Sequence, residues 1–145
     1  MQNRLASYTL AYGLWILSIG LALLAAMIVR ETVIFALSAL FSAPPQRYTV
    51  HLGTQLITLF LGLILLIAIV ILENRYRIGL VKGRTVGYFI RFVGIALLVV
   101  AVTHFLYIAV DLGLGALDQF RLAAALAEAV LGVIALRLAR RTYRQ

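Results

Sequence analysis

Four long apolar runs dominate the chain, separated by short polar and basic stretches. A helix that crosses a bilayer needs about 20 mostly apolar residues, and each run supplies them. The first covers about 8–29 and the second about 52–72, neither with a charged residue. The third, about 86–110, contains Arg91 and His104. The fourth, about 119–138, contains Arg121, Glu128 and Arg137, and its wealth of Ala and Leu favours helix. None of the runs alternates as a barrel strand does, and a spanning segment must satisfy its own backbone, so helices are expected. The pattern predicts an all-α fold, an integral membrane four-helix bundle forming one domain over residues 1–145.

Between the first two runs lies Glu31 to Ser42, closed by Pro44-Pro45. Val33, Ile34, Leu37, Leu40 and Phe41 fall near one side at helical spacing, but the stretch is too short to span. Two readings are open: an amphipathic helix lying in the interface, or an extension of the first helix. The prolines end either one. The first run is longer than the 7–15-residue apolar core of a secretory signal, and no small-x-small site follows it directly, so a retained helix is expected.

Composition agrees with the pattern. The chain is 64% hydrophobic and 12% charged, where soluble domains carry about a quarter charged residues. That excludes a water-soluble globule, and so much apolar surface excludes disorder. The net charge of +8 comes from 13 basic and 5 acidic residues. The basic residues sit between the apolar runs rather than over a solvated face, and the loops are too short to read nucleic acid, so no nucleic-acid partner is expected. Lys82 is the one lysine; the other cations are arginines, whose planar fork suits phosphate at a headgroup boundary. Arg75, Arg77, Lys82, Arg84, Arg140 and Arg141 are the candidate lipid-headgroup contacts. With no cysteine, disulfides, thiolate metal sites and iron–sulfur clusters are excluded.

Short cytoplasmic loops carry excess Lys and Arg. Arg4, the 75–84 cluster and the tail of Arg137, Arg140, Arg141 and Arg144 share one side of a four-span protein. The other side holds Arg30, Arg47 and Arg121 beside Glu31, Asp111 and Asp118. Both termini are therefore expected on the cytoplasmic side. Tyr8, Tyr12, Tyr88 and Tyr143 would lie at the inner interface, Tyr48 and Tyr107 at the outer one, as belt residues.

Three polar residues inside the runs carry the candidate chemistry. Glu128 lies mid-span, and an intramembrane carboxylate is costly enough to suggest function. Ala124, Glu128, Gly132 and Ala135 share a helical face, and small residues admit a neighbouring helix. Glu128 is thus a proton or cation site, or a hydrogen-bonding clasp between helices or subunits; the clasp is preferred. His104 falls about 6 Å from Glu128 in depth. The two suit proton exchange, but a histidine bonded to a carbonyl or water is the preferred reading. Arg91 is expected to snorkel to the headgroups, with Gly87 and Gly94 on its face as a helix-packing surface. Gly13 and Gly20 form a further candidate contact surface. His51 and His104 raise a b-type haem, but their depths match poorly. No metal site, phosphate loop, nucleophile elbow or paired-carboxylate site occurs.

Arg30-Glu31-Thr32-Val33 through Leu40-Phe41, then Tyr88-Phe89 and Arg91-Phe92-Val93-Gly94, then Val110-Asp111, Asp118 and the basic tail follow a recognisable order. In that order the chain resembles the PsiE family, four-span bacterial proteins named for phosphate-starvation induction. The family tends to carry an arginine late in the third span; this chain has Val102-Thr103-His104-Phe105-Leu106-Tyr107 there. A histidine late in that span also resembles a second family of four-span proteins, UPF0114. The resemblance implies an inner-membrane protein and supplies no catalytic residues. The expected function is non-enzymatic: helix contacts, as a homo-oligomer or an accessory subunit of a larger membrane complex. A channel or proton-coupled transporter using Glu128 and His104, and a haem- or quinone-binding redox subunit, are the alternatives.

Overall fold

A computed structural model of the chain describes residues 2–41, 47–113 and 119–142. Ser42, Pro44, Pro45, Asp118, Tyr143 and Arg144 lie outside the described residues. The four elements are α1 (Gln2–Leu40), α2 (Arg47–Val81), α3 (Thr85–Gly113) and α4 (Gln119–Thr142). Each is long and apolar enough to cross a membrane.

The helices outrun the expected spans. At 1.5 Å per residue α1 measures about 58 Å and α2 about 52 Å, against about 30 Å of hydrocarbon. Residues 31–40 continue α1 without a break, so the separate interfacial helix is not found. Arg30 and Glu31 do not stop α1, nor do Glu73, Arg75 and Arg77 stop α2. A charge marks where a helix leaves lipid; ending the helix takes a chain reversal. For α2 that reversal is Gly83, the one described residue with positive φ, at 65°. Its N–H bonds to the Leu80 carbonyl at 3.4 Å, and the Arg84 N–H to the Gly79 carbonyl at 2.8 Å. This is the glycine-dependent C-cap that satisfies the last carbonyls of a helix. A Cβ on Gly79 would lie 2.7 Å from the Tyr88 ring, so α2 and α3 leave the turn in close contact.

Successive helices run antiparallel. Tyr8 and Trp15 of α1 share a cavity wall with Glu73 and Leu80 of α2, and Arg91 of α3 shares one with Arg140 of α4. At the opposite end Phe35, Tyr107 and Arg121 line one cleft. One end therefore gathers Arg75, Arg77, Lys82, Arg84, Arg91, Arg140 and Arg141, the basic end. The packing order is α2–α1–α3–α4. Among the described residues α4 makes no close backbone approach to α1 or α2, so the bundle is open.

The two halves pack differently. α3 and α4 meet backbone to backbone, and a Cβ on Gly94 would lie 3.0 Å from the Gly132 carbonyl oxygen. Ala101, Ala125 and Ala139 are buried along the same seam. Small residues are what bring helices together in lipid, where the hydrophobic effect gives no preference between tails and side chains. Gly94 and Gly132 were expected on separate contact faces; they face each other within one chain. Gly87 is buried and Ala124 half-buried. Along α1 and α2 large side chains such as Ile16, Leu17, Leu24, Leu59, Phe60 and Ile64 are exposed.

Candidate functional site

α3 and α4 bring His104 and Glu128 together. His104 Nδ1 lies 2.8 Å from Glu128 Oε2, with the side chains 25% and 23% exposed. Leu98 packs on Gly132 and the Arg121 guanidinium sits over the Tyr107 ring, a register that sets His104 opposite Ala125. Glu128 is three residues further on, about 4.5 Å along the axis. The glutamate stem and the imidazole close that distance. The preference for a histidine bonded to a carbonyl or water is therefore corrected. The depth estimate treated the residues as points on two axes, whereas long side chains on helices in glycine contact reach across a turn.

A single hydrogen bond of this kind holds one proton between two bases. It can rest on the imidazole, giving an ion pair, or on the carboxyl, giving a neutral pair, with the same net charge. Removing one partner strands the other in a poorly solvated place, which is why such pairs act as strong local constraints.

On the His104 side the pair borders a cleft between α1, α3 and α4, lined by His104 with Met27, Ile28, Glu31, Thr32, Phe35, Tyr107 and Arg121, of about 590 Å³. Tyr107 is stacked on Phe35, with ring centroids 4.3 Å apart and planes 15° from parallel. The Arg121 guanidinium lies 3.9 Å from the centroid of the Tyr107 ring. Tyr107 was expected only as a belt residue; instead it joins three helices. Beside it, Arg30 Nη1 meets Glu31 Oε1 at 2.7 Å and Arg30 Nε donates to Thr58 Oγ1 at 3.0 Å, tying α1 to α2.

The other predicted residues fall elsewhere. Arg91 is exposed at the basic end, on cavities shared with Arg75 and with Arg140. His51 pairs with Gln55 at 3.2 Å and lines a cleft with Arg30, Thr54 and Thr58, separate from the one His104 lines. A Cβ on Gly13 or Gly20 would meet nothing within 4 Å. Among the described residues no group of three His, Asp or Glu is placed to hold a metal.

One polar contact escaped the sequence reading. Ser18 Oγ and Tyr76 Oη are 2.6 Å apart and buried. Ser18 gives its only proton to the Leu14 carbonyl at 2.9 Å, so Tyr76 donates to Ser18. Tyr76 lies beyond the expected end of the second span, which hid it. A serine at i−4 spacing inside an uncharged run was the available signal. Trp15 Nε1 is the one buried side-chain nitrogen or oxygen without a hydrogen-bond partner among the described residues.

Comparisons with family models, with curated proteins and with solved structures found no match, so they identify neither the PsiE family nor UPF0114 as the family of this chain.

Proposed function

We propose that the chain is a multi-pass protein of a bacterial inner membrane, non-enzymatic, that works through helix contacts as a homo-oligomer or as an accessory subunit of a larger complex. The observation that carries this reading is the open space over Gly13 and Gly20 on the exposed side of α1. A glycine in a helix costs about 1 kcal/mol of propensity relative to alanine. Facing lipid it returns nothing, whereas facing another helix it permits close approach. The gathering of Arg75, Arg77, Lys82, Arg84, Arg140 and Arg141 at one end supports headgroup contact there and both termini in the cytoplasm. Native mass spectrometry after extraction in a mild detergent tests the reading. The wild type is expected as an oligomer or with a bound partner, and Gly13→Leu with Gly20→Leu is expected to release it. A wild type that is monomeric and alone overturns it.

A second reading is favoured by one observation, the 2.8 Å pair bordering, on its His104 side, a cleft that also holds Glu31 and Arg121. In it, His104 and Glu128 pass a proton, or release it in exchange for a cation, as a proton-coupled transporter or channel does. Flux into liposomes is expected for the wild type and lost in Glu128→Gln. No flux in the wild type ends this reading and leaves the pair as a clasp within the chain.

A further inference from the structure

At the basic end, α1 and α2 enclose a cavity of about 200 Å³ to which the His104–Glu128 pair contributes nothing. Tyr8, Tyr12 and Trp15 line it from α1, and Glu73, Tyr76 and Arg77 from α2. Their helical spacing turns one side of each helix toward the same space. Four of these six side chains are aromatic rings, in a chain that is 10% aromatic. The Tyr12 and Trp15 rings meet edge to face, with centroids 6.2 Å apart and planes at 89°, so they form a corner. Tyr76 is held by its bond to Ser18 at 2.6 Å, which keeps its ring in place.

Glu73 is the exception in charge at this end. The other acidic residues that the structure describes are Glu31, Asp111 and Glu128, all toward the middle or the opposite end. Its ion contact is Arg77, four residues on, at 3.9 Å, with the two side chains 71% (Arg77) and 45% (Glu73) exposed. An exposed pair at that separation is weak and readily exchanged for another cation. A carboxylate beside several ring faces attracts a soft cation twice, through its charge and through the ring quadrupoles. A hard metal ion needs several oxygen ligands, and here there is one carboxylate. An anion would meet the Glu73 carboxylate in the cavity wall. Arg77 shares the cavity wall and competes for Glu73, while the other arginines of this end act at longer range, where anionic headgroups screen them.

We propose that this cavity binds an organic ammonium ion, with Tyr8, Tyr12, Trp15 and Tyr76 as its ring wall and Glu73 as its counter-charge. The ion is either free in solution or the ethanolamine headgroup of a lipid. The proposal is independent of both readings of function above.

Trp15 is the only tryptophan in the chain, so its fluorescence reports on this cavity. In nanodiscs of phosphatidylglycerol, tetraethylammonium chloride is expected to change Trp15 emission saturably, and sodium chloride at equal ionic strength is not. Glu73→Gln keeps the side-chain shape and is expected to raise the midpoint about tenfold by removing the counter-charge. Arg77→Gln removes the competing guanidinium and is expected to lower it, an opposite change that loss of folding cannot mimic. Replacing half the lipid by phosphatidylethanolamine separates the sources. An emission change without added tetraethylammonium, absent from Glu73→Gln, assigns the site to the headgroup. A change only with tetraethylammonium assigns it to the free ion. The proposal is overturned if neither ligand changes the emission saturably, or if Glu73→Gln leaves the response as it was.

Discussion

The α3–α4 half and the α1–α2 half of this molecule are both built of long apolar helices and differ in how they hold together. Their apolar windows are 22% and 17% buried within the chain for α3 and α4, and 6% each for α1 and α2. The difference is not one of hydrophobicity, since α2 carries the most apolar window of the four. It lies in where small and polar residues sit. α3 and α4 place glycine against glycine and a histidine against a glutamate. α1 and α2 are tied by one hydroxyl pair near the basic end and one arginine–threonine bond near the other. In lipid, close backbone approach and polar contacts do what apolar area does in water.

The sharpest way to break the contrast is at the glycines. Gly132→Leu would press a side chain into space where a Cβ alone lies 2.9 Å from Leu98 and 3.1 Å from the Gly94 carbonyl oxygen. A loss of about 3 kcal/mol is expected, from overpacking against backbone that cannot yield. Gly13→Leu, over open space, is expected to change the isolated chain by less than about 0.5 kcal/mol. Reversible unfolding in mixed micelles, followed by helicity, measures both. Equal losses would mean that backbone approach is not what separates the halves.

Glu128→Leu comes next, with an expected loss of about 1–2 kcal/mol from a stranded imidazole, and Glu128→Gln, which keeps an acceptor, about half of that. The same unfolding assay reads this, and His104→Leu in the Glu128→Leu background should add little if the two act as one unit. In the other half, Tyr76→Phe removes only the hydroxyl bonded to Ser18. About 0.6 kcal/mol is expected, as for hydrogen bonds between membrane helices generally. Among the contacts between helices, the smallest effect is expected from Arg121→Gln. It lifts a cation from the Tyr107 ring for about 0.5 kcal/mol and should raise the hydrogen exchange of the first turn of α4 before that of any other element.

Both the legible and the hidden parts have physical causes. The four spans were readable because about 20 apolar residues in a row have few other uses in a protein. The helix ends were not, because charges such as Arg30, Glu73 and Arg75 limit an apolar run but tolerate helix well; Gly83 is the stop for α2. Glu128 stood out by its cost. Its bond to His104 was under-weighted because depth along an axis says little about how far a side chain reaches. Tyr107 looked like an interface residue, which aromatic chemistry alone cannot distinguish from a residue that joins helices. Glu73 lies just past the second apolar run, and only the continuation of α2 through it puts it on the same cavity as Trp15.

The length of α1 has a mechanical result. A stiff rod of about 58 Å that leans by about 20°, a common angle for a spanning helix, carries its far tip about 20 Å sideways. Phe35, stacked on Tyr107 near that tip, acts as a stay against such a sweep. The bond from Arg30 to Thr58, earlier in the helix, is a second stay, so the reach of this end of α1 is set by one stack and one hydrogen bond to two different helices.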